Sequence, residues 1–277
     1  MKHILLKKKV LLTGIFILFF SVLNYSCDSD SITNPNIFTL EDDVALGQDL
    51  DAQIKKNTTE YPILNNQSAR QYVQNMINEI IKSPEVKYEE TFKYQIEIIQ
   101  RDDVINAFAA PGGYLYVYTG LLKFVENEAT LAAVLAHEVA HAERRHATKR
   151  MTKQYGVSFL LDLILGDNPS QLEELGANML TGLAFLKNSR DDEFEADEYS
   201  FKYLQSTKWY PGGITFFFKK ISDNSSGGFL DELLSTHPMP EDRVKAVEDM
   251  INKAKIPAPS ESNLFTTAYQ NFLKTLP

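Results

Sequence analysis

Residues 131 to 141 read Leu-Ala-Ala-Val-Leu-Ala-His-Glu-Val-Ala-His. The apolar, alanine-rich run before the first histidine has no polar face, so it reads as a helix buried on all sides. On that helix His137 and His141, four residues apart, project from one face and can grip a single zinc ion. Glu138 then lies beside the metal, where it can take a proton from an attacking water. This spacing points to zinc-dependent hydrolysis of peptide bonds. The alternative is a helix carrying two hydrogen-bonded surface histidines.

Two histidines do not complete a zinc site, and a catalytic site of the His₂Glu kind needs one more protein ligand. Of five histidines only His3, His146 and His237 remain, and the chain has one cysteine, so a carboxylate is the first candidate. Residues 189 to 197 read Ser-Arg-Asp-Asp-Glu-Phe-Glu-Ala-Asp, which places Glu193 and Asp197 on one face of a helix. Packed against the histidine helix, Glu193 can ligate the metal while Asp197 accepts the spare ring N–H of a liganding histidine. Glu195 is expected to point elsewhere. Taken alone, an acidic helix start is more often a solvated turn matched to the helix dipole.

Composition narrows the function. With 277 residues, 44% hydrophobic and 23% charged, the chain can bury one sizeable core. A net charge of −9 and a pI near 5.1 argue against nucleic acid as a partner, which needs a basic face. The one cationic cluster (Arg144, Arg145, Lys149, Arg150, Lys153) is expected to solvate the end of the histidine helix and complement its dipole.

The N-terminus reads as an address. Lys2, Lys7, Lys8 and Lys9 precede an uncharged, largely apolar run from Val10 to Tyr25, too short for a comfortable membrane span. Cys27 stands directly after it, in the position of the lipidated cysteine of a bacterial lipoprotein signal, although Asn24 and Tyr25 depart from the usual lipobox. We therefore expect a signal peptide over 1–26, a lipid tether over 27–40, a metalloprotease domain over 41–255 and a short C-terminal segment over 256–277. A plain signal anchor with an incidental cysteine is the alternative. Either way the catalytic part is exported to the envelope, on the periplasmic side or the cell surface, and a single cysteine forbids an internal disulfide.

Periodicity predicts helices over Glu41 to Lys56, opened by Thr39 and Asp42 as a capping box, and over Ser68 to Lys82. Alternation predicts a half-buried strand from Phe92 to Ile99, and strands Val104 to Ala109 and Tyr114 to Tyr118 flank the turn Pro111-Gly112-Gly113. Further helices are expected over Ser170 to Leu186, Asp191 to Gln205, Pro211 to Ile221 and Pro240 to Lys253, with Val157 to Leu165 a core helix or a lid. The fold class is mainly α with a small β-sheet, an α+β arrangement with the catalytic helix packed beside a short edge-stranded sheet.

His137-Glu138-x-x-His141, then Glu193-Phe194-Glu195-Ala196-Asp197, then His237-Pro238 with Arg243 resemble the HtpX and CAAX-prenyl-protease family of gluzincins. Within it they are most similar to the soluble, exported BepA-type and OMA-type members. Residues 106 to 113 (Asn-Ala-Phe-Ala-Ala-Pro-Gly-Gly) and 119 to 122 (Thr-Gly-Leu-Leu) share the resemblance.

The resemblance implies a zinc endopeptidase, with one zinc per chain, that surveys misfolded or misassembled envelope proteins. It implies that the strand carrying Asn106, Ala107, Phe108 and Ala109 is an edge to which a peptide substrate can add. His237 is implied either as a gate that fills the open coordination position or, with Arg243, as a candidate donor to the oxyanion. Arg243 pairing within the last helix is the more conservative reading. Neither the transmembrane helices of the prenyl-protease branch nor the helical-repeat domain of the BepA type is expected. Two rivals stay open: a lipid-anchored chaperone or assembly factor with weak or latent proteolysis, and a zinc hydrolase acting on a non-peptide bond.

Overall fold

The computed structural model describes residues 36–156, 188–224, 230–239 and 242–277. The expected signal peptide with Cys27, the Val157 to Leu165 segment and the Ser170 to Leu186 helix lie outside the described residues, as does Pro240.

The centre of the fold is the catalytic helix α4 (Glu128–Glu143), all 16 of whose residues are buried. The Asn127 side chain caps it by accepting from Thr130 N. Its small side chains let neighbours approach closely. Ser200 Oγ, from helix α6 (Arg190–Leu204), donates to the Ala133 carbonyl at 2.9 Å. At Gly213 a side chain would meet the Ala129 carbonyl at 2.2 Å, so only glycine fits there. Glu128 at the start of α4 accepts from Tyr72 Oη (2.5 Å) and Trp209 Nε1 (2.8 Å), with Lys208 Nζ 3.5 Å away, which satisfies a buried carboxylate.

Beside α4 lies a three-stranded sheet of β1 (Gln95–Ile99), β2 (Ala107–Ala110) and β3 (Tyr114–Tyr118), in the order β1-β3-β2. β1 runs parallel to β3 and β2 antiparallel to it, with Phe108 opposite Tyr116. One face (Ile96, Ile98, Ala107, Leu115, Val117) packs into the core that holds α4 and helix α2 (Gln67–Ile80). The other face (Ile99, Phe108, Ala110, Tyr114, Tyr116, Tyr118) packs on helix α1 (Leu40–Lys56) through Leu46, Leu50 and Ile54. The Thr39–Asp42 capping box at the start of α1 forms as expected.

The sheet departs from expectation in three ways. β1 begins at Gln95 instead of Phe92, because Tyr94 takes a left-handed backbone (φ 42°) and hands its phenol to Glu143. β1 is also covered on both faces. Glu97, read as solvent-facing, is buried between Lys55 (3.0 Å) and Arg70 (3.2 Å). β2 spans Ala107–Ala110, later than the expected Val104 to Ala109, since Asn106 turns its side-chain oxygen onto Ala107 N. The turn after β2 needs positive φ at Gly112 (70°) and Gly113 (83°), as its glycines foretold.

The remaining described helices are α3 (Thr119–Phe124), α5 (His146–Tyr155), α7 (Ile214–Asp223), α8 (Asp231–Thr236), α9 (Asp242–Ala254), α10 (Glu261–Leu264) and α11 (Thr266–Leu273). The short C-terminal segment packs into the main core. Tyr269 and Phe272 are buried, Phe272 stacks on Tyr72 at 4.0 Å, and Tyr269 Oη donates to the Leu122 carbonyl at 2.6 Å. Among the described residues, no helix is long and apolar enough to cross a membrane.

Candidate metal centre and substrate cleft

Helix α4 presents His137 and His141 to Glu193 on α6, and the loop after α8 brings His237 to the same point. One ligand atom from each of these four buried residues lies within 4.8 Å of all the others. His137 Nε2 and His141 Nε2 are 2.9 Å apart, and the Glu193 carboxylate lies 3.4 Å from the first and 3.3 Å from the second. His237 Nδ1 is 3.0 Å from Glu193 Oε1, and its Nε2 is 3.7 Å from Glu138 Oε1.

The surrounding contacts fix these groups. His137 Nδ1 stands 2.9 Å from Asp197 Oδ1, an ion-pair distance at which the ring N–H is badly angled for a hydrogen bond. Arg243 grips Asp197 through Nε (2.7 Å) and Nη2 (2.8 Å), and its Nη1 donates to the Pro238 carbonyl at 2.9 Å. The same Nη1 lies 2.7 Å from Glu193 Oε2, badly angled for a hydrogen bond, which leaves that buried oxygen without a donor. Arg243, expected as a possible donor to the oxyanion, is thus spent on holding the two carboxylates and the His-Pro loop.

The donor set fits a zinc ion. An orphaned carboxylate oxygen and two ring nitrogens converge where lone pairs would repel, and a cation relieves that crowding. Two carboxylates set the field around the histidines. Burial disfavours charge on His137, yet Glu193 and Asp197 outweigh it and push its pKa up to about 10. His141 goes the other way, held well below the usual imidazole value by burial and by the His137 charge. Burial likewise raises Glu138, partly offset by His237 and His137, which moves a carboxyl toward the range useful to a general base.

A cleft opens beside this cluster, lined by Phe108, Ala109, Ala110 and Pro111 together with Glu138 and His141. β2 is an edge strand of the sheet and, among the described residues, pairs with β3 alone. Of the expected substrate residues, Phe108 and Ala109 reach the cleft, and Ala110 and Pro111 join them. Asn106 and Ala107 are buried behind it. The Phe108 ring stacks on Tyr116 at 4.7 Å, so this residue offers backbone instead of its side chain.

Three neighbours of the centre carried no sequence-based expectation of a role there. Asn188 Nδ2 lies 3.2 Å from His141 Nε2 and 3.3 Å from His237 Nδ1, oriented by Arg150, whose Nη1 donates to Asn188 Oδ1 at 2.5 Å. His146 meets His141, and Glu195 meets His146. Nothing in the spacing of His146 announces this, because it depends on Arg145 ending α4 in a left-handed conformation (φ 57°). The cationic cluster is also not the solvated patch expected. Arg145 binds Asp43 at 2.5 Å, Arg144 binds Glu195 at 2.7 Å, and Arg150 is taken up by Asn188 and Asp192.

A His-Glu-x-x-His helix completed by a glutamate from a neighbouring helix defines a metallopeptidase. The model of Peptidase family M48 matches residues 67–251, and the chain belongs to that family. It is 28% identical over 231 residues to a putative beta-barrel assembly-enhancing protease of Vibrio cholerae, covering 78% of this chain and 47% of the relative. It is 30% identical over 169 residues to the mitochondrial metalloendopeptidase OMA1 of Schizosaccharomyces pombe, covering 59% and 48%. To the metalloprotease YcaL of Escherichia coli it is 30% identical over 155 residues, covering 54% and 60%. The chain therefore spans about half the length of the first two relatives.

Proposed function

We propose that this protein is a zinc endopeptidase that cuts exposed or misfolded polypeptides in the bacterial envelope. The observation that carries the reading is the convergence of His137, His141 and Glu193 beside Glu138, in a cleft walled by a strand whose outer edge is unpaired among the described residues. His137, His141 and Glu193 are the residues that hold the metal. A bound zinc supplies Lewis acidity at the scissile carbonyl and acidifies the attacking water.

The chain's own residues do the rest. The free edge of β2 takes an extended substrate by backbone hydrogen bonds, a mode that reads exposed chain more than sequence. Glu138 takes the proton from the attacking water as its oxygen bonds to the carbonyl carbon. The same proton then passes to the amide nitrogen as the C–N bond breaks. Asp197 keeps the His137 ring in its liganding tautomer, and Arg243 holds Asp197 and Glu193 in place.

Placement in the envelope follows from the leader, with Cys27 acylated as the first residue of the mature chain. Beta-barrel assembly, named for the Vibrio cholerae relative, makes outer-membrane barrels that stall during folding a fitting substrate class. A second reading, an assembly factor with latent proteolysis, is favoured by one observation: the His237 ring stands among the ligands. In either reading the His237 ring can act as a gate that must leave before a water enters, and latency is what the second reading makes permanent. Casein digestion with and without chelator, and a comparison of envelope proteomes between wild type and Glu138→Gln, test the activity and identify substrates. Mass spectrometry of the N-terminal peptide tests Cys27, and an unmodified cysteine behind a retained leader would refute acylation.

A further inference from the structure

Glu195 leaves α6 on a different side from Glu193, away from the metal-binding cluster, as its position on the helix requires. It does not reach solvent freely. Its Oε2 lies 2.8 Å from His146 Nε2, and His146 Nδ1 lies 2.7 Å from His141 Nδ1. Both rings are buried, and Arg144 Nε holds the other Glu195 oxygen at 2.7 Å.

The chemistry of these groups leaves one arrangement of hydrogens that also ligates a metal. A carboxylate only accepts, so His146 Nε2 carries a hydrogen. A neutral imidazole protonated at Nε2 has a lone pair on Nδ1, so the hydrogen between the two rings belongs to His141 Nδ1. His141 Nε2 is then left bare, facing His137 Nε2 and Glu193. Were Glu195 replaced by a donor, each step would reverse and put a hydrogen on the atom that must bind metal.

We propose that Glu195 and His146 form a positioning relay that sets the tautomer and ring orientation of His141 as a ligand. The proposal rests on the zinc reading of the site. One helix, α6, then provides the ligand Glu193, the Asp197 carboxylate beside His137 Nδ1 and, in Glu195, the acceptor that orients His141 through a second imidazole. The left-handed Arg145 is what returns His146 to His141.

The test uses the full chain, with zinc affinity from chelator competition and imidazole tautomers from nitrogen-15 spectra of metal-free and zinc-loaded protein. We expect His146 to carry its hydrogen on Nε2 in both forms. Glu195→Ala should weaken zinc binding by about 10- to 100-fold, the usual loss for an outer-shell partner. In Glu195→Gln the Arg144 guanidinium, which only donates, claims the amide carbonyl and turns the NH2 toward His146. That variant should bind zinc no better than Glu195→Ala, and its His146 hydrogen should move to Nδ1. A merely structural ion pair would leave the hydrogen on Nε2 in Glu195→Gln, and that outcome would overturn the relay. So would wild-type affinity in Glu195→Ala, or a hydrogen found on His146 Nδ1 in the wild type. A wild-type protein that binds no zinc would defeat the metal reading itself, and the metal-free spectra would still report the hydrogen-bond chain separately.

Discussion

Arg243 and Asp197 meet as a buried fork, Nε and Nη2 of the guanidinium donating to the two carboxylate oxygens at 2.7 and 2.8 Å. Removing the guanidinium takes both donors from Asp197 and the nearest cation from Glu193, leaving two buried carboxylates with only histidine rings beside them. Arg243→Ala should therefore destabilise the metal-free protein by about 3–5 kcal/mol. Arg243→Lys keeps the charge but not the planar fork and should fall between. Denaturant unfolding in the presence of chelator measures both, and a change within about 0.5 kcal/mol, ordinary for a surface substitution, would contradict the anchoring role.

The ligand assignment separates residues on one helix. Glu193→Ala should abolish most zinc binding, since Glu193 approaches both histidine nitrogens. Asp197→Ala should reduce affinity by about 10- to 100-fold, as it touches the metal only through His137. Metal analysis after dialysis, with chelator competition, orders the two variants. A larger loss in Asp197→Ala than in Glu193→Ala would exchange their roles.

His237 has two competing roles, and one variant distinguishes them. If the ring gates the centre, His237→Ala raises casein turnover at unchanged zinc content. If it stabilises the oxyanion, turnover falls by on the order of 10²- to 10³-fold. The geometry favours the gate, because the ring lies 3.0 Å from Glu193 and its Nε2 faces Glu138.

Alkaline stability follows from the tyrosines. Burial pushes the Tyr61 phenol up to about 12, and Tyr94, Tyr116 and Tyr72 are raised further by burial and by Glu143, Asp51 and Glu128. A folded-state value above the unfolded one of about 10 means the fold favours the neutral phenol. That stability is complete below about pH 10 and is lost as pH rises from there toward the folded-state values. Phenolate absorbance from these buried tyrosines should therefore appear together with loss of helical circular dichroism. Smooth phenol titration in a protein that stays folded would contradict this.

The catalytic helix and its partner were legible because each rule was local: an unbroken apolar run for α4, and a spacing of four that puts Glu193 and Asp197 on one face. Pro111-Gly112-Gly113 was legible for the same reason, since its φ values demand glycine. What escaped depended on contacts distant in sequence. Tyr94 shortens β1 only because Glu143 receives its phenol, and Glu97 looks solvent-facing until Lys55 and Arg70 arrive. Asn188 and His146 join the centre through Arg150 and the left-handed Arg145, neither of which leaves a periodic signal. The C-terminal helices reach the core through Tyr269 and Phe272, too short a pattern to read as a docking face.

The central claim is that Glu138 is the base and not a ligand of a zinc site built from His137, His141 and Glu193. Zinc content and casein turnover of Glu138→Gln, measured beside wild type, test it most directly. The account predicts about one zinc per chain in both proteins and turnover lost in the variant. Turnover near the wild-type rate, or zinc lost along with activity, would contradict it.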